Sequence, residues 1–298
     1  MLTTFRNFIF RTLLKLLFKR KATIAESRAN SERSAKWMGK LPEEILVEKV
    51  SIDALNAEWV YTSKASEDKV ILYLHGGGYI IGSADTHRML CASLAQSTNT
   101  KVLLLEYRLA PENPFPAALD DATSAYRWLL IQQFKSENII IVGDSAGGGL
   151  SLATVQKLRD DNQPLPAAVV CISPWTDLTM GFDSHRSKAT ADPILRADNL
   201  QLWASSYMGD ANPRNPLISP AFADFSGFPP LFIQVGSEEV LLDDSLQVAE
   251  KAKSAGVDVT LKVWEGMWHV WHTAGNFLPE SRAAFEEIGE FVKRIEKK

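Results

Sequence analysis

Cysteine is scarce in this chain. Cys91 and Cys171 are the only two, far apart and without a Cys-x-x-Cys pair. That excludes a disulfide framework and a thiolate zinc site, and it fits two buried thiols in a reducing compartment. Basic charge is not in excess either: 32 Lys and Arg against 36 Asp and Glu leave a net charge of −4. The electrostatic footprint of a nucleic-acid binder is therefore absent. No internal repeat or low-complexity tract occurs.

A clean hydrophobic run is missing as well. The N-terminal stretch MLTTFRNFIFRTLLKLLFKRK places Arg6, Arg11 and Lys15 among its apolar residues, so it forms neither a signal-peptide core nor a membrane span. On a helix Arg6, Arg11, Lys15 and Lys19 fall along one side, and Phe5, Phe8, Ile9, Leu13, Leu16 and Leu17 fall mostly on the other. The simpler role for such a helix is to dock on the rest of the protein. The alternative is an interfacial helix resting on a lipid surface, giving residues 1–21 a weak membrane contact. The expected location is cytoplasmic, with or without that peripheral contact.

What is present is ample material for a core, with 46% hydrophobic residues in 298. Apolar runs of strand character recur at 48–52, 57–62, 70–74, 102–106, 139–142, 167–171, 231–235 and 259–264. The later ones are continuous and rich in Val, Ile and Leu, as parallel strands covered on both faces require. Helix-length patterns separate them at 86–98, 117–134, 146–160, 244–255 and 280–296. The alternation predicts an α/β fold with a doubly wound sheet. One connection is too long: residues 172–230 exceed the usual about two to six residues of a loop. This segment carries the amphipathic stretch RADNLQLWASSYMG, with Asp198 as its expected N-cap, and reads as a cap over the carboxyl ends of the strands.

The chemistry begins at NIIIVGDSAGGGLSLA. A glycine two residues before Ser145 and another two after it, between a strand and a helix, form the nucleophile-elbow pattern. The turn presents the hydroxyl at a helix N-terminus, where negative charge is favoured. A serine needs a base, an orienting acid and an oxyanion hole. LYLHGGGYIIGS supplies backbone N–H groups unobstructed by side chains, so Gly77 and Gly78, with Ala146 from the elbow, are the expected oxyanion donors. A flexible turn or a phosphate loop is the rival for the glycines, but a Walker lysine is absent and the dinucleotide spacing differs.

Five histidines compete for the base. His75 belongs to the glycine loop and is expected to hold its shape, while His87 and His185 have no supporting context. His269 follows the last strand on a loop and is preferred to His272, which enters the next helical pattern. The acid belongs on the loop GSEEVLLDD, where Glu238, Glu239, Asp243 and Asp244 all remain open. The two aspartates also read as helix caps.

HGGGY followed by GDSAGGG, with YRLAPENPFPAALDD at 107–121 between them, resembles the hormone-sensitive-lipase family of α/β-hydrolase carboxylesterases, related to bacterial family IV. The resemblance runs from about residue 45 onward. It implies an α/β-hydrolase fold, with a mostly parallel eight-stranded sheet flanked by helices and a helical cap. It also implies hydrolysis of small to medium acyl esters through an acyl-enzyme intermediate, without metal or cofactor. The family's acid opens a D-P-L-x-D-E motif, which aligns with EVLLDD and points to Glu239. Its H-G-F motif is matched by His269-Val270-Trp271. The expected catalytic set is thus Ser145, Glu239 and His269. In that light Arg108, Asp121 and the Asp192-Pro193 pair read as structural.

Tyr79, Trp175, Trp203 and Met208 are the expected lining of an apolar substrate pocket, with core packing as the alternative for each. The expected division is an N-terminal helical segment over 1–45, part of the cap, and a catalytic domain over 46–298 with the cap insertion at about 178–225. The expected partner is a small-molecule ester, and a homodimer stays open. Two rival functions remain: a membrane-surface lipase anchored by the N-terminal helix, and a non-catalytic receptor like the gibberellin receptors that resemble this family. Those receptors lose the base, whereas His269 is retained.

Overall fold

A computed structural model describes residues 11–12, 14–15, 22–36 and 39–295. Most of the expected N-terminal amphipathic helix, including Phe5, Arg6, Phe8, Ile9, Leu13, Leu16, Leu17 and Lys19, lies outside the described residues. Arg11, Thr12, Leu14 and Lys15 are helical.

The apolar runs form one eight-stranded sheet in the order β1-β2-β4-β3-β5-β6-β7-β8. The strands are β1 (Ile45–Ile52), β2 (Leu55–Thr62), β3 (Ser66–Leu74), β4 (Thr100–Glu106), β5 (Ile139–Asp144), β6 (Ala168–Ile172), β7 (Leu231–Gly236) and β8 (Val259–Trp264). β2 pairs antiparallel with β1 and β4, and every other pairing is parallel. The helices are α1 (Ile24–Ala35), α2 (Ala84–Thr98), α3 (Ala117–Ile131), α4 (Ala146–Asp160), α5 (Ser184–Ser187), α6 (Ala197–Met208), α7 (Leu242–Ser254) and α8 (Pro279–Ile295).

Alternation along the strands divides the core into two layers, because successive side chains leave a strand on opposite faces. Val70, Leu72 and Leu74 of β3 pack with Leu119 of α3, Leu150 of α4 and Val248 of α7. Ile71 and Tyr73 pack instead with Leu94 of α2 and Ile288 of α8. All five β3 residues are fully buried, each large one stabilising the fold by about 1.5–3 kcal/mol. This two-sided burial explains why the run is continuously apolar rather than alternating.

From β3 the chain moves to β4 on one side and then returns to β5 on the other. Strand order reverses there, and such a reversal opens a crevice at the carboxyl ends. Leu74 of β3 stands in register with Gly143 of β5, and Asp144 with Ile172 of β6. Residues that leave these strands therefore emerge side by side.

The long connection between β6 and β7 contains α5, α6 and a 3₁₀ turn at Pro220–Phe222. Asp198 is not the N-cap of α6. That position is Arg196, and Asp198 sits inside the first turn with its carboxylate 3.1 Å from Arg196 Nε. A carboxylate there still meets the positive end of the helix dipole, so the composition marks a helix start without fixing its first residue.

Candidate active site

The elbow is built by close backbone approach. Gly147 lies so near β3 that a Cβ on it would fall 1.9 Å from the Leu74 carbonyl oxygen, so no side chain fits. Ser145 itself has φ +53° and ψ −123°, a conformation costing about 1–3 kcal/mol unless its surroundings hold it. They do: its N–H donates to the Ile172 carbonyl at 2.8 Å, and its own carbonyl accepts from Gly148 and Gly149 of α4 and from Trp175.

Three residues that are distant in sequence meet at this turn. Ser145 Oγ lies 2.9 Å from His269 Nε2, and His269 Nδ1 lies 3.0 Å from Glu239 Oε2. An ionised carboxylate only accepts, so the contact with Glu239 puts the imidazole proton on Nδ1 and leaves Nε2 free to accept from the serine hydroxyl. Glu239 is fully buried, and its other oxygen, Oε1, accepts from Gly236 N–H at 2.6 Å and from Ser173 Oγ at 2.7 Å. Burial works against the His269 imidazolium. The hydrogen bond and charge of Glu239, with smaller contributions from Asp192 and Asp144, outweigh it and raise its pKa above the ordinary 6.5.

The other three carboxylates on the acid loop point elsewhere. Glu238 pairs with Arg11 at 3.3 Å and Lys188 at 3.8 Å. Asp243 Oδ2 accepts from Ser184 N–H. Asp244 is buried, receives the N–H groups of Thr176 and Asp177, and lies 2.7 Å from His185 Nε2. Both aspartates stand in the first turn of α7, as helix-start residues do.

The glycine loop flanks the serine. Gly77 and Gly78 adopt φ +115° and +62°, and their N–H groups donate to no acceptor among the described residues. Ala146 opens α4, where a first-turn N–H has no intrahelical partner. Asp144 fastens this loop to the elbow: its Oδ1 accepts from Gly76 N–H at 2.8 Å and from Tyr73 OH at 2.6 Å. Burial pushes the Asp144 pKa up, but His87 beside it and these donors pull it down to about 2. His87, without context in the sequence, has its Nε2 3.6 Å from Asp144 Oδ2. His75 stacks on Tyr107 with ring centroids 4.2 Å apart, and Tyr107 OH donates to the His75 carbonyl. That arrangement shapes the loop. His272 is buried facing Gln234 Oε1 at 2.9 Å rather than the serine, and burial lowers its pKa to about 3.

Of the expected pocket residues, Trp203 of α6 faces the glycine loop: a Cβ on Gly78 would fall 2.4 Å from its ring. Tyr79 and Trp175 are buried. Tyr79 stacks on Tyr207 at 3.7 Å, and Trp175 Nε1 donates to the Asp177 carbonyl. Both rings belong to the core layer that also contains Ala146. Met208 is half-buried against the same core layer.

Two anchors tie neighbouring segments to the site: Asp192, read from the resemblance as structural, and Arg28, which no sequence signal singles out. Asp192 accepts from Ile194 and Leu195 N–H with Oδ1 and from Val240 N–H with Oδ2, so it tethers the insertion to the residue after Glu239. Arg28 of α1 donates to the Ile80 and Ala110 carbonyls and pairs with Glu112, tying α1 to the glycine loop and the 107–112 segment. Arg108 and Asp121, both read as structural, prove to be paired with each other, 2.6 Å apart.

Residues 71–273 match a family model described as alpha/beta hydrolase fold. The chain is similar to an acetyl-hydrolase of Streptomyces hygroscopicus, 46% identical over 244 residues that cover 82% of this chain and 81% of the relative. It is also similar to an esterase of Acinetobacter venetianus, 38% identical over 235 residues covering 78% of each. A crystal structure of an esterase from the bacterial hormone-sensitive lipase family superposes with a TM-score of 0.93 at 41% identity, covering 97% of both chains.

Proposed function

This chain belongs to the α/β-hydrolase family, among the carboxylesterases resembling hormone-sensitive lipase, and from that premise we propose that Ser145, His269 and Glu239 carry out its ester hydrolysis. The enzyme is a carboxylic-ester hydrolase acting on small-molecule esters. The observation that carries the residue roles is the continuous alignment from Ser145 Oγ through the imidazole of His269 to Glu239, at 2.9 and 3.0 Å.

Ser145 Oγ attacks the ester carbonyl while its proton passes to His269 Nε2. Glu239 orients the imidazole and stabilises the imidazolium that forms. The carbonyl oxygen becomes an oxyanion, held by the N–H groups of Gly77, Gly78 and Ala146. Each well-aligned donor lowers the barrier by about 3–4 kcal/mol. The tetrahedral intermediate collapses, its C–O bond breaks, and His269 gives the proton to the leaving alcohol. A water then loses its proton to His269 and attacks the acyl carbon. Collapse releases the carboxylic acid and returns the proton to Ser145.

Small to medium acyl groups fit best. Trp203 lies over Gly78 and walls the site close to the oxyanion position. The similar Streptomyces protein is named for acetyl hydrolysis. On this reading the described part of residues 1–45, with the insertion at about 178–225, serves as a cap over the remainder of 46–298. Arg28 and Asp192, which reach the glycine loop and the acid loop, support that division.

The N-terminal segment is read as docked on the protein. Arg11 donates to the Ala191 carbonyl and Lys15 to that of Thr190, so two cations of its basic side are engaged by the insertion rather than left for lipid headgroups. Among the described residues no helix is long and apolar enough to cross a membrane. A cytoplasmic location suits this reading, and equal, negligible liposome partitioning of full-length and N-terminally truncated protein would support it. Turnover of a short activated acyl ester tests the catalytic reading: Ser145→Ala should abolish it, and unchanged turnover would defeat the proposal.

A further inference from the structure

The residue that leaves β6 has a place in the site that no motif announces. Ser173 is fully buried, and its backbone is held at φ +48° by an N–H bond to the Gln234 carbonyl at 2.7 Å. Its hydroxyl donates to Glu239 Oε1 at 2.7 Å and accepts from the N–H of Val270 at 3.2 Å. One oxygen thus joins the end of β6 to the acid on the β7 loop and to the residue beside His269.

We propose that Ser173 is a positioning residue for the reaction, holding Glu239 in the one orientation that reaches His269. The inference rests on the reading of Glu239 as the acid. A glutamate has one more rotatable bond than an aspartate, so more freedom must be removed before its carboxylate points at the imidazole. Gly236 N–H and Ser173 Oγ remove it together by occupying Oε1, which leaves Oε2 for His269 Nδ1. The N–H of Val270 donates to the same hydroxyl, which turns its O–H toward Glu239.

The experiment is a double-mutant cycle on turnover of an aryl acetate, because only a cycle separates an effect routed through Glu239 from general damage. Ser173→Ala should lower kcat by about 10- to 100-fold with KM within about twofold, since a hydrogen bond to a charged group is lost. Ser173→Gly should give the same loss, because glycine accepts the positive φ and keeps the backbone path. In a Glu239→Ala background neither substitution should change kcat by more than about twofold, there being no carboxylate left to hold. Equal losses in both backgrounds, or wild-type kcat in both Ser173 variants while Glu239→Ala is impaired, would overturn the inference and leave the acid assignment standing. Wild-type kcat in Glu239→Ala would overturn the acid assignment and this inference with it.

Discussion

Asp192 Oδ2, in the insertion, accepts a hydrogen bond at 3.1 Å from the backbone N–H of Val240, the residue that follows Glu239. The insertion and the proposed acid are therefore mechanically joined, and the carboxylate that joins them lies close enough to His269 to favour its charged form. Asp192→Asn removes this charge and sets an amide N–H₂ against backbone donors on one side. The expected result is a stability loss of about 1–3 kcal/mol in denaturant unfolding. The acid limb of the pH–kcat/KM profile should also move to lower pH. An unmoved limb would show that Asp192 does not act on His269.

His269 must be neutral to accept a proton, and its pKa lies above the ordinary 6.5. Activity should therefore fall as pH drops through a midpoint above 6.5, where the imidazole becomes charged. Glu239→Gln takes away the main group raising that pKa, so its residual activity should show an acid limb at lower pH. Its kcat should be reduced by about 10²–10⁴-fold. A pH series on both proteins checks the two expectations together.

The length of the acid matters as well as its charge. Glu239 Oε1 meets Gly236 and Ser173 while Oε2 meets His269. An aspartate from the same backbone is one methylene too short to keep all three contacts. Glu239→Asp should lower kcat by about 10- to 100-fold. Asp243→Asn, whose carboxylate only receives the Ser184 N–H, should stay near wild-type activity. Steady-state kinetics of these two variants would show a wrong assignment at once, by a reversal of the order.

Trp203 covers Gly78, so its size should set which acyl chains are accepted. Trp203→Ala should raise kcat/KM for octanoyl relative to acetyl esters. A pocket responds to each methylene by about 1–3 kcal/mol, so the ratio should change at least tenfold. An unchanged ratio across a panel of acyl lengths would remove Trp203 from the pocket.

The elbow and the glycine loop were legible because their demands are local. A strand run followed by Gly143, Ser145 and Gly147 describes a backbone path that only small residues permit, and the clash of any Cβ at Gly147 with Leu74 is its tertiary counterpart. Continuous apolar runs likewise announced strands buried on both faces, since Val70 to Leu74 serve two core layers at once. His269 could be preferred to His272 because chain order places it directly after the last strand.

The acid loop was different. Glu238, Glu239, Asp243 and Asp244 share their charge, the helix-cap reading bears on the two aspartates alone, and only a family resemblance pointed to Glu239 rather than Glu238. Tertiary structure separated them by direction: Glu238 turns to Arg11 and Lys188, Asp243 to Ser184, Asp244 to His185, and Glu239 inward to His269. The same holds for Ser173, an ordinary residue in the sequence, and for the partners of Asp192, which the resemblance marks as structural without showing what it holds. Local sequence determines where the backbone turns and which residue types stand there. Which buried group each side chain meets depends on the sheet order and the packing of the insertion, and no window of sequence contains either.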